Sequence, residues 1–64
     1  MKRRDFERHL RDCGCTLHHH RGNHDIWVHP QTLLQAAVPR HAELGRHLLV
    51  AICRQLGIAV PTAK

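Results

Sequence analysis

The hydrophobic period of this chain changes at Gly14, and the change restricts the folds that are open to it. Before the glycine, Phe6, Leu10 and Cys13 have the i, i+4, i+7 spacing that puts apolar side chains on one face of a helix. After it, apolar and polar residues alternate one by one, which is typical of a strand. The pattern predicts a helix over residues 3–13 that Gly14 ends, followed by a strand.

A β-hairpin is predicted after this helix. The two faces of its first strand carry Cys15, Leu17 and His19 against Thr16, His18 and His20. The turn covers residues 21–23, and the second strand covers residues 24–29. The two faces of the second strand carry Ile26 and Val28 against Asp25, Trp27 and His29. A tryptophan on so short a strand is expected to fill part of the core.

A third strand and a second helix complete the pattern. Residues 33–38 lie between two prolines and predict a strand, although their propensities also fit a helical turn. The last helix is predicted from Leu44 or Gly45 to Leu56, with Gly57 as its C-terminal cap. Its apolar arc consists of Leu48, Leu49, Ile52, Cys53 and Leu56.

This order of elements predicts an α+β fold, α-β-β-β-α, with both helices packed on one face of a three-stranded antiparallel sheet. The order resembles that of the double-stranded-RNA-binding domain. Residues 1–58 are expected to form the single domain, and residues 59–64 a C-terminal tail. A chain of 64 residues has room for one small core, so a metal or a partner protein could add to its stability.

Arginine carries nearly all of the positive charge. The chain has ten Lys and Arg against five Asp and Glu, and only Lys2 and Lys64 are lysines. The planar guanidinium group pairs with phosphate better than an ammonium group does, which indicates a nucleic acid partner; a solvated surface is an equal alternative. Three arginines on one face of the first helix and two outside it are candidates for holding phosphates: Arg4, Arg8, Arg11, Arg21 and Arg40.

The apolar runs are short. None approaches the roughly 20 residues of a membrane helix, and the amino end carries no apolar leader. The three cysteines, Cys13, Cys15 and Cys53, form an odd set. We therefore expect a cytoplasmic protein with no membrane partner.

Several whole phrases of the sequence resemble the HicA toxin family, in the same order and spacing, over about residues 1–58. They are Met1–Asp5, Gly14-Cys15, Gly22–Trp27, Val38–His41, Glu43–Arg46, Leu48-Leu49 and Ile52–Gly57. Two segments differ from the family pattern. The run His18–His20 is unusual for its strand, and Gln31–Leu34 replaces a polar, glycine-containing turn.

The resemblance implies a toxin of a type II toxin–antitoxin pair that cleaves messenger RNA without a metal or other cofactor. Its partner would be a HicB-type antitoxin that covers the active site, with the toxin monomeric when free and part of a hetero-oligomer when bound. His24 falls on the catalytic histidine of the family, and Gly22 on the glycine just before it. Gly22 and Asn23 would form the turn that positions His24.

The chemistry of RNA is compatible with a single histidine. RNA carries its own nucleophile, the 2′-hydroxyl group, so a nuclease can work by moving protons alone. Neutral imidazole can accept the 2′-proton, and imidazolium can donate a proton to the leaving 5′-oxygen. Our hypothesis is that His24 acts as the general base; a solvent-facing turn histidine is the plain alternative.

Three other classes of protein remain open. The first is a small zinc-binding domain, because Cys13, Cys15 and the histidines between 18 and 24 are ordinary zinc ligands. Their Cys-x-Cys spacing is poor for zinc, and consecutive strand histidines point to opposite faces. The second is a non-catalytic RNA- or DNA-binding module, which the basic charge and the order of the elements support. The third is a plain protein-interaction domain.

Overall fold

Two helices flank three consecutive antiparallel strands in the computed structural model, which describes residues 1–61. The elements are α1 (Arg3–Asp12), β1 (Thr16–Arg21), β2 (His24–Val28), β3 (Gln35–Pro39) and α2 (Arg46–Leu56). Within the described residues the strands form one sheet in the order β1-β2-β3, and both pairings are antiparallel. The predicted α-β-β-β-α order is confirmed.

One buried cluster joins both helices to one face of the sheet. Trp27 on the central strand is 1% exposed and belongs to this cluster, so the core role predicted for it is confirmed. Fully buried side chains from the rest of the chain surround it. The cluster includes Phe6 and Leu10 of α1, Ala36 and Val38 of β3, and Leu49, Ile52, Cys53 and Leu56 of α2.

Both helices end in the same hydrogen-bonded motif. At the end of α1 the N–H of Cys15 donates to the carbonyl oxygen of Leu10 at 2.9 Å, and at the end of α2 the N–H of Ile58 donates to that of Cys53 at 3.0 Å. This is the Schellman motif, which needs a left-handed residue just after the helix. The residues in that conformation are the two predicted glycines, Gly14 and Gly57.

The β1–β2 hairpin corrects the predicted alternation. Arg21 pairs with His24, so Arg21 belongs to the strand and the turn has two residues rather than three. An irregularity between Leu17 and His19 makes His18 the extra residue of a β-bulge. A bulge shifts the parity of the residues that follow it, so the faces predicted for His19 and His20 are wrong.

The third strand begins later than predicted. It covers Gln35–Pro39 instead of residues 33–38, and the alternative helical turn is wrong. Leu33 has a φ of +63°, in the left-handed region, which interrupts an extended backbone. Pro39 ends the strand instead of lying outside it, because β3 is an edge strand, where a missing N–H group is tolerated.

The predicted tail, residues 59–64, lies partly outside the described residues. Within the described part, Val60 packs against the core and Pro61 is buried. The imidazole Nε2 of His9 lies 2.7 Å from the carbonyl oxygen of Ala59, so this segment returns to α1. Residues 62–64 are outside the part of the chain that the structure describes.

The left-handed backbone at Leu33 leads to a stability prediction. We expect Leu33→Gly to raise the free energy of unfolding by about 1 kcal/mol, because a left-handed conformation costs a non-glycine residue about 1–2 kcal/mol. The side chain is 74% exposed, so little packing is lost, and the entropy that glycine adds to the unfolded chain offsets only part of the gain. Urea unfolding measures the difference.

The matched control is Gln31→Gly in the same loop. Gln31 is also exposed, but its φ is not positive, so glycine only adds entropy to the unfolded chain. We expect this variant to be less stable than the wild type by about 0.5–1 kcal/mol. Equal destabilisation by both substitutions would contradict the conformation of Leu33.

Candidate active site

The β1–β2 turn places His24 at the first position of the central strand. Gly22 has a φ of +56° and Asn23 does not have a positive φ, which is the pattern of a type II′ hairpin turn. The backbone N–H of Arg40 donates to the carbonyl oxygen of Asn23 at 3.2 Å. The turn is therefore tied to the end of β3 as well as to its own strands.

The His24 side chain is exposed on the sheet face that points away from the helices. It lies three residues before Trp27, so strand alternation puts the two side chains on opposite faces. His24 borders a shallow depression of about 410 Å³. The other residues that line it are Arg21, Gly22, Asn23, Ile26 and Ala37. An imidazole in this position can meet a large substrate directly.

The five candidate phosphate-binding arginines fall into two groups. Arg21 lines the depression beside His24, and Arg40 lies at the same end of the sheet, next to the turn. The remaining three are on α1, which packs on the opposite face of the sheet: Arg4, Arg8 and Arg11. All three are exposed. The predicted arginines therefore lie in two separate regions, the hairpin end of the sheet and α1.

Arg11 also makes a contact that was not predicted from the sequence. Its guanidinium carbon lies 5.3 Å from the centre of the Trp27 ring, within the range of a cation–π interaction. This contact holds the side chain against the edge of the core. Arg11 is therefore partly committed to the fold, which distinguishes it from Arg4 and Arg8.

A buried carboxylate beside the turn was also missed from the sequence. Asp25 is 8% exposed, and its Oδ1 atom lies 2.6 Å from Nδ1 of His20 and 2.9 Å from Nε of Arg40. The hydrogen bond from His20 lowers the pKa of this carboxyl group; burial opposes the shift, and the hydrogen bond and charge of Arg40 assist it. Asp25 is therefore ionised at neutral pH.

The sequence contained a signal for the His20–Asp25 part of this cluster. A two-residue turn at Gly22-Asn23 pairs residue 21 with residue 24 and so residue 20 with residue 25. The three-residue turn that we predicted gives a different register, in which Asp25 and His20 are not partners. The register error alone hid the contact.

The other potential metal ligands do not converge in the described part of the chain. Among residues 1–61, no group of three His, Cys, Asp or Glu side chains is placed to hold a metal ion. His18 and His19 form an edge-to-face pair with ring centres 4.8 Å apart. Burial raises the pKa of the Cys15 and Cys53 thiols, and the nearby Cys13 adds to the effect.

Among residues 1–61, no helix has the length and apolar character needed to cross a membrane.

The lowered pKa of Asp25 leads to a prediction about acid stability. A carboxylate whose pKa is lower in the folded state contributes stability above its unfolded pKa, and this contribution is lost as the pH falls through the folded pKa. We expect the free energy of unfolding to fall as the pH drops below the usual carboxyl value of 3.8. Urea unfolding at a series of pH values measures it.

Two substitutions test this assignment. Asp25→Asn should destabilise the protein at pH 7 by about 1–3 kcal/mol and remove part of the acid dependence, because the amide cannot pair as an anion. Asp12→Asn changes an exposed aspartate at the end of α1 and should keep the wild-type acid profile. Identical acid profiles for Asp25→Asn and the wild type would show that Asp25 does not carry the effect.

Comparison with known proteins agrees with the arrangement described above. The family model described as HicA toxin of bacterial toxin–antitoxin matches residues 3–58. A search of curated proteins and of solved structures found no match. The matched region contains both helices, the sheet and the hairpin turn that precedes His24. The chain therefore belongs to the HicA toxin family and is a toxin of a bacterial toxin–antitoxin system.

Proposed function

We propose that this toxin is a metal-independent endoribonuclease that cleaves messenger RNA, with His24 as its catalytic residue. The observation that supports this best is the position of His24. It is exposed at the first residue of a strand, next to a tight turn and beside a basic side chain. A polymer can approach such a site without entering a closed pocket.

The reaction needs proton transfers and charge stabilisation. The imidazole of His24 accepts the proton of the 2′-hydroxyl group as that oxygen attacks the adjacent phosphorus. The 5′-oxygen leaves with a proton, and a 2′,3′-cyclic phosphate forms. Positioned proton transfer of this kind contributes about 10²- to 10⁴-fold to a rate. A single histidine can serve as base and then, once protonated, as acid.

The turn holds the imidazole in place. Gly22 adopts a positive φ and has open space around its α-carbon, so the RNA backbone can approach closely. Asn23 is anchored through its carbonyl oxygen to the backbone of Arg40. We propose Gly22 and Asn23 as positioning residues, because the turn that they form sets the position of the His24 backbone and so the direction in which its side chain extends.

Two basic regions hold the RNA. At the hairpin end of the sheet, Arg21 beside His24 and Arg40 next to the turn bind phosphates near the cleavage site. Arg4, Arg8 and Arg11 present the other region on α1. The net charge of +5 favours the approach of a polyanion from all sides. Because phosphate contacts release counterions, RNA binding by the toxin should weaken steeply as salt is added.

The partner of the toxin in this proposal is a HicB-type antitoxin that covers the hairpin end. The free toxin is a monomer and forms a hetero-oligomer with the antitoxin in the cytoplasm. Residues 1–58 act as the single RNA-binding and nuclease unit. An antitoxin that blocks an open site must cover the His24 depression, since this depression is open to solvent.

The test is cleavage of a defined messenger RNA in excess chelator, followed on a denaturing gel. We expect the wild type to cleave and His24→Ala to lose at least about 10²-fold in rate, because the proton acceptor is removed. His47→Ala is the matched control, since His47 is exposed on α2 and alanine favours a helix. It should cleave like the wild type.

The possible failures lead to different conclusions. Cleavage that persists in His24→Ala would show that His24 is not the catalytic residue, although the protein would still be a nuclease. RNA that is bound by the wild type and never cut would favour a non-catalytic RNA-binding module. Cleavage that stops when chelator is added would reject the metal-independent mechanism.

A further inference from the structure

We propose that Arg40 and His20, both held by Asp25, form a second phosphate-binding site for the RNA strand, on the face of the sheet opposite to His24. This inference rests on the proposed function, because its ligand is the phosphate backbone of the RNA substrate. It assigns a role to His20 and Asp25, which the catalytic proposal does not use.

Asp25, which joins the two partners, is buried. It is the one charged side chain that is buried within residues 1–61, and its Oδ1 atom accepts hydrogen bonds from Nδ1 of His20 and Nε of Arg40. A buried carboxylate is costly unless it is paired. Here the pairing also brings an imidazole and a guanidinium group to a single oxygen atom, which fixes their positions relative to each other.

Arg40 and His20 each keep nitrogen atoms that do not contact Asp25. Arg40 contacts Asp25 through Nε, and within the described residues its two terminal nitrogens have no protein hydrogen-bond partner. His20 contacts Asp25 through Nδ1, which leaves Nε2 on the other side of the ring. The two side chains are 41% and 64% exposed. The cluster therefore presents unused N–H donors to solvent.

The chemistry of these donors selects phosphate as the ligand. Arginine has donors only, and its terminal nitrogens match two oxygens of a phosphate group. The Nε2 atom of His20 lies on the free side of the ring and is a further donor to phosphate when it carries a proton. Asp25 contacts neither the phosphate nor the reacting atoms in this arrangement and acts as a positioning residue.

The cluster lies at the same end of the sheet as His24. Asp25 directly follows His24, so their side chains leave β2 on opposite faces at the same end of the strand. The Asn23 carbonyl oxygen also anchors the backbone of Arg40 there. An RNA strand that passes around this end of the sheet meets His24 on one face and the Arg40–His20 pair on the other. Two fixed contacts set the register of the strand at the cleavage site.

The experiment measures binding apart from cleavage. A short single-stranded 2′-O-methyl RNA lacks the nucleophile, so it cannot be cut by the proposed reaction. Fluorescence anisotropy with this RNA over a range of salt concentrations gives the affinity and its salt slope. The variants are Arg40→Gln and His20→Ala, and the matched controls are Arg54→Gln on α2 and His19→Ala, the neighbour of His20 on β1.

We expect Arg40→Gln to bind on the order of tenfold more weakly, with a salt slope less steep by about 0.7, the value for one phosphate contact to a single strand. His20→Ala should weaken binding severalfold, while both controls bind like the wild type. His20→Ala keeps the Asp25–Arg40 pair, so it decides the question if Arg40→Gln proves unfolded in a thermal melt.

Wild-type affinity and slope in a folded His20→Ala would overturn the proposal that His20 is part of the site. Absence of RNA binding by the wild type would overturn the site altogether. These results are separate from the cleavage assay. If His24→Ala loses cleavage while His20→Ala and Arg40→Gln bind RNA like the wild type, the nuclease proposal stands and the second phosphate-binding site is rejected. If the wild type does not cleave RNA while His20→Ala and Arg40→Gln bind it more weakly, the nuclease proposal is rejected and the phosphate-binding site stands.

Discussion

Trp27 stands in the central strand with its ring 1% exposed, and its burial determines which way the other side chains of that strand point. Residues of both helices share its core cluster, and Arg11 reaches over the ring from α1. A domain of this size has a single core, so β2 cannot turn over without exposing the tryptophan. Strand alternation then puts Asp25 on the side of the helices and His24 on the side of solvent.

The β1–β2 hairpin brings side chains of the two strands together on the faces that this alternation sets. The two-residue turn brings His20 opposite Asp25, and the bulge at His18 lets Leu17 remain opposite Trp27. Without the extra residue, side chains 17 and 20 would lie on opposite faces, because their separation is odd. The bulge therefore allows one strand to keep Leu17 on the same face as Trp27 and to bring an imidazole to the carboxylate on that face.

The proposed site is an open end of a sheet, which suits a substrate much larger than the protein. Nothing in this arrangement requires a cavity, because RNA supplies its own nucleophile and the chain supplies a proton acceptor and cations. The same openness allows a partner protein to cover the site. The turn and its hydrogen bond to Arg40 fix the backbone from which the exposed histidine extends.

Local patterns were enough to predict most of the fold. The spacing of Phe6 and Leu10, the terminal glycines and the apolar arc of the last helix are properties of neighbouring residues, and the structure has helices there. The predicted start of β3 was wrong because Leu33 adopts a left-handed backbone that its residue type disfavours. Tertiary context overrides propensity at that position.

The sequence by itself determined the order of elements, the positive charge and the place of His24 at the start of a strand, because these depend on residues close together in the chain. Only the tertiary structure decided the rest. The hairpin register, the bulge and the end of β3 bring His20, Asp25 and Arg40 together from three segments of the chain. A shift of one residue in the register would separate these three side chains. The register depends on the length of the turn, which the hydrophobic periodicity of the sequence does not specify.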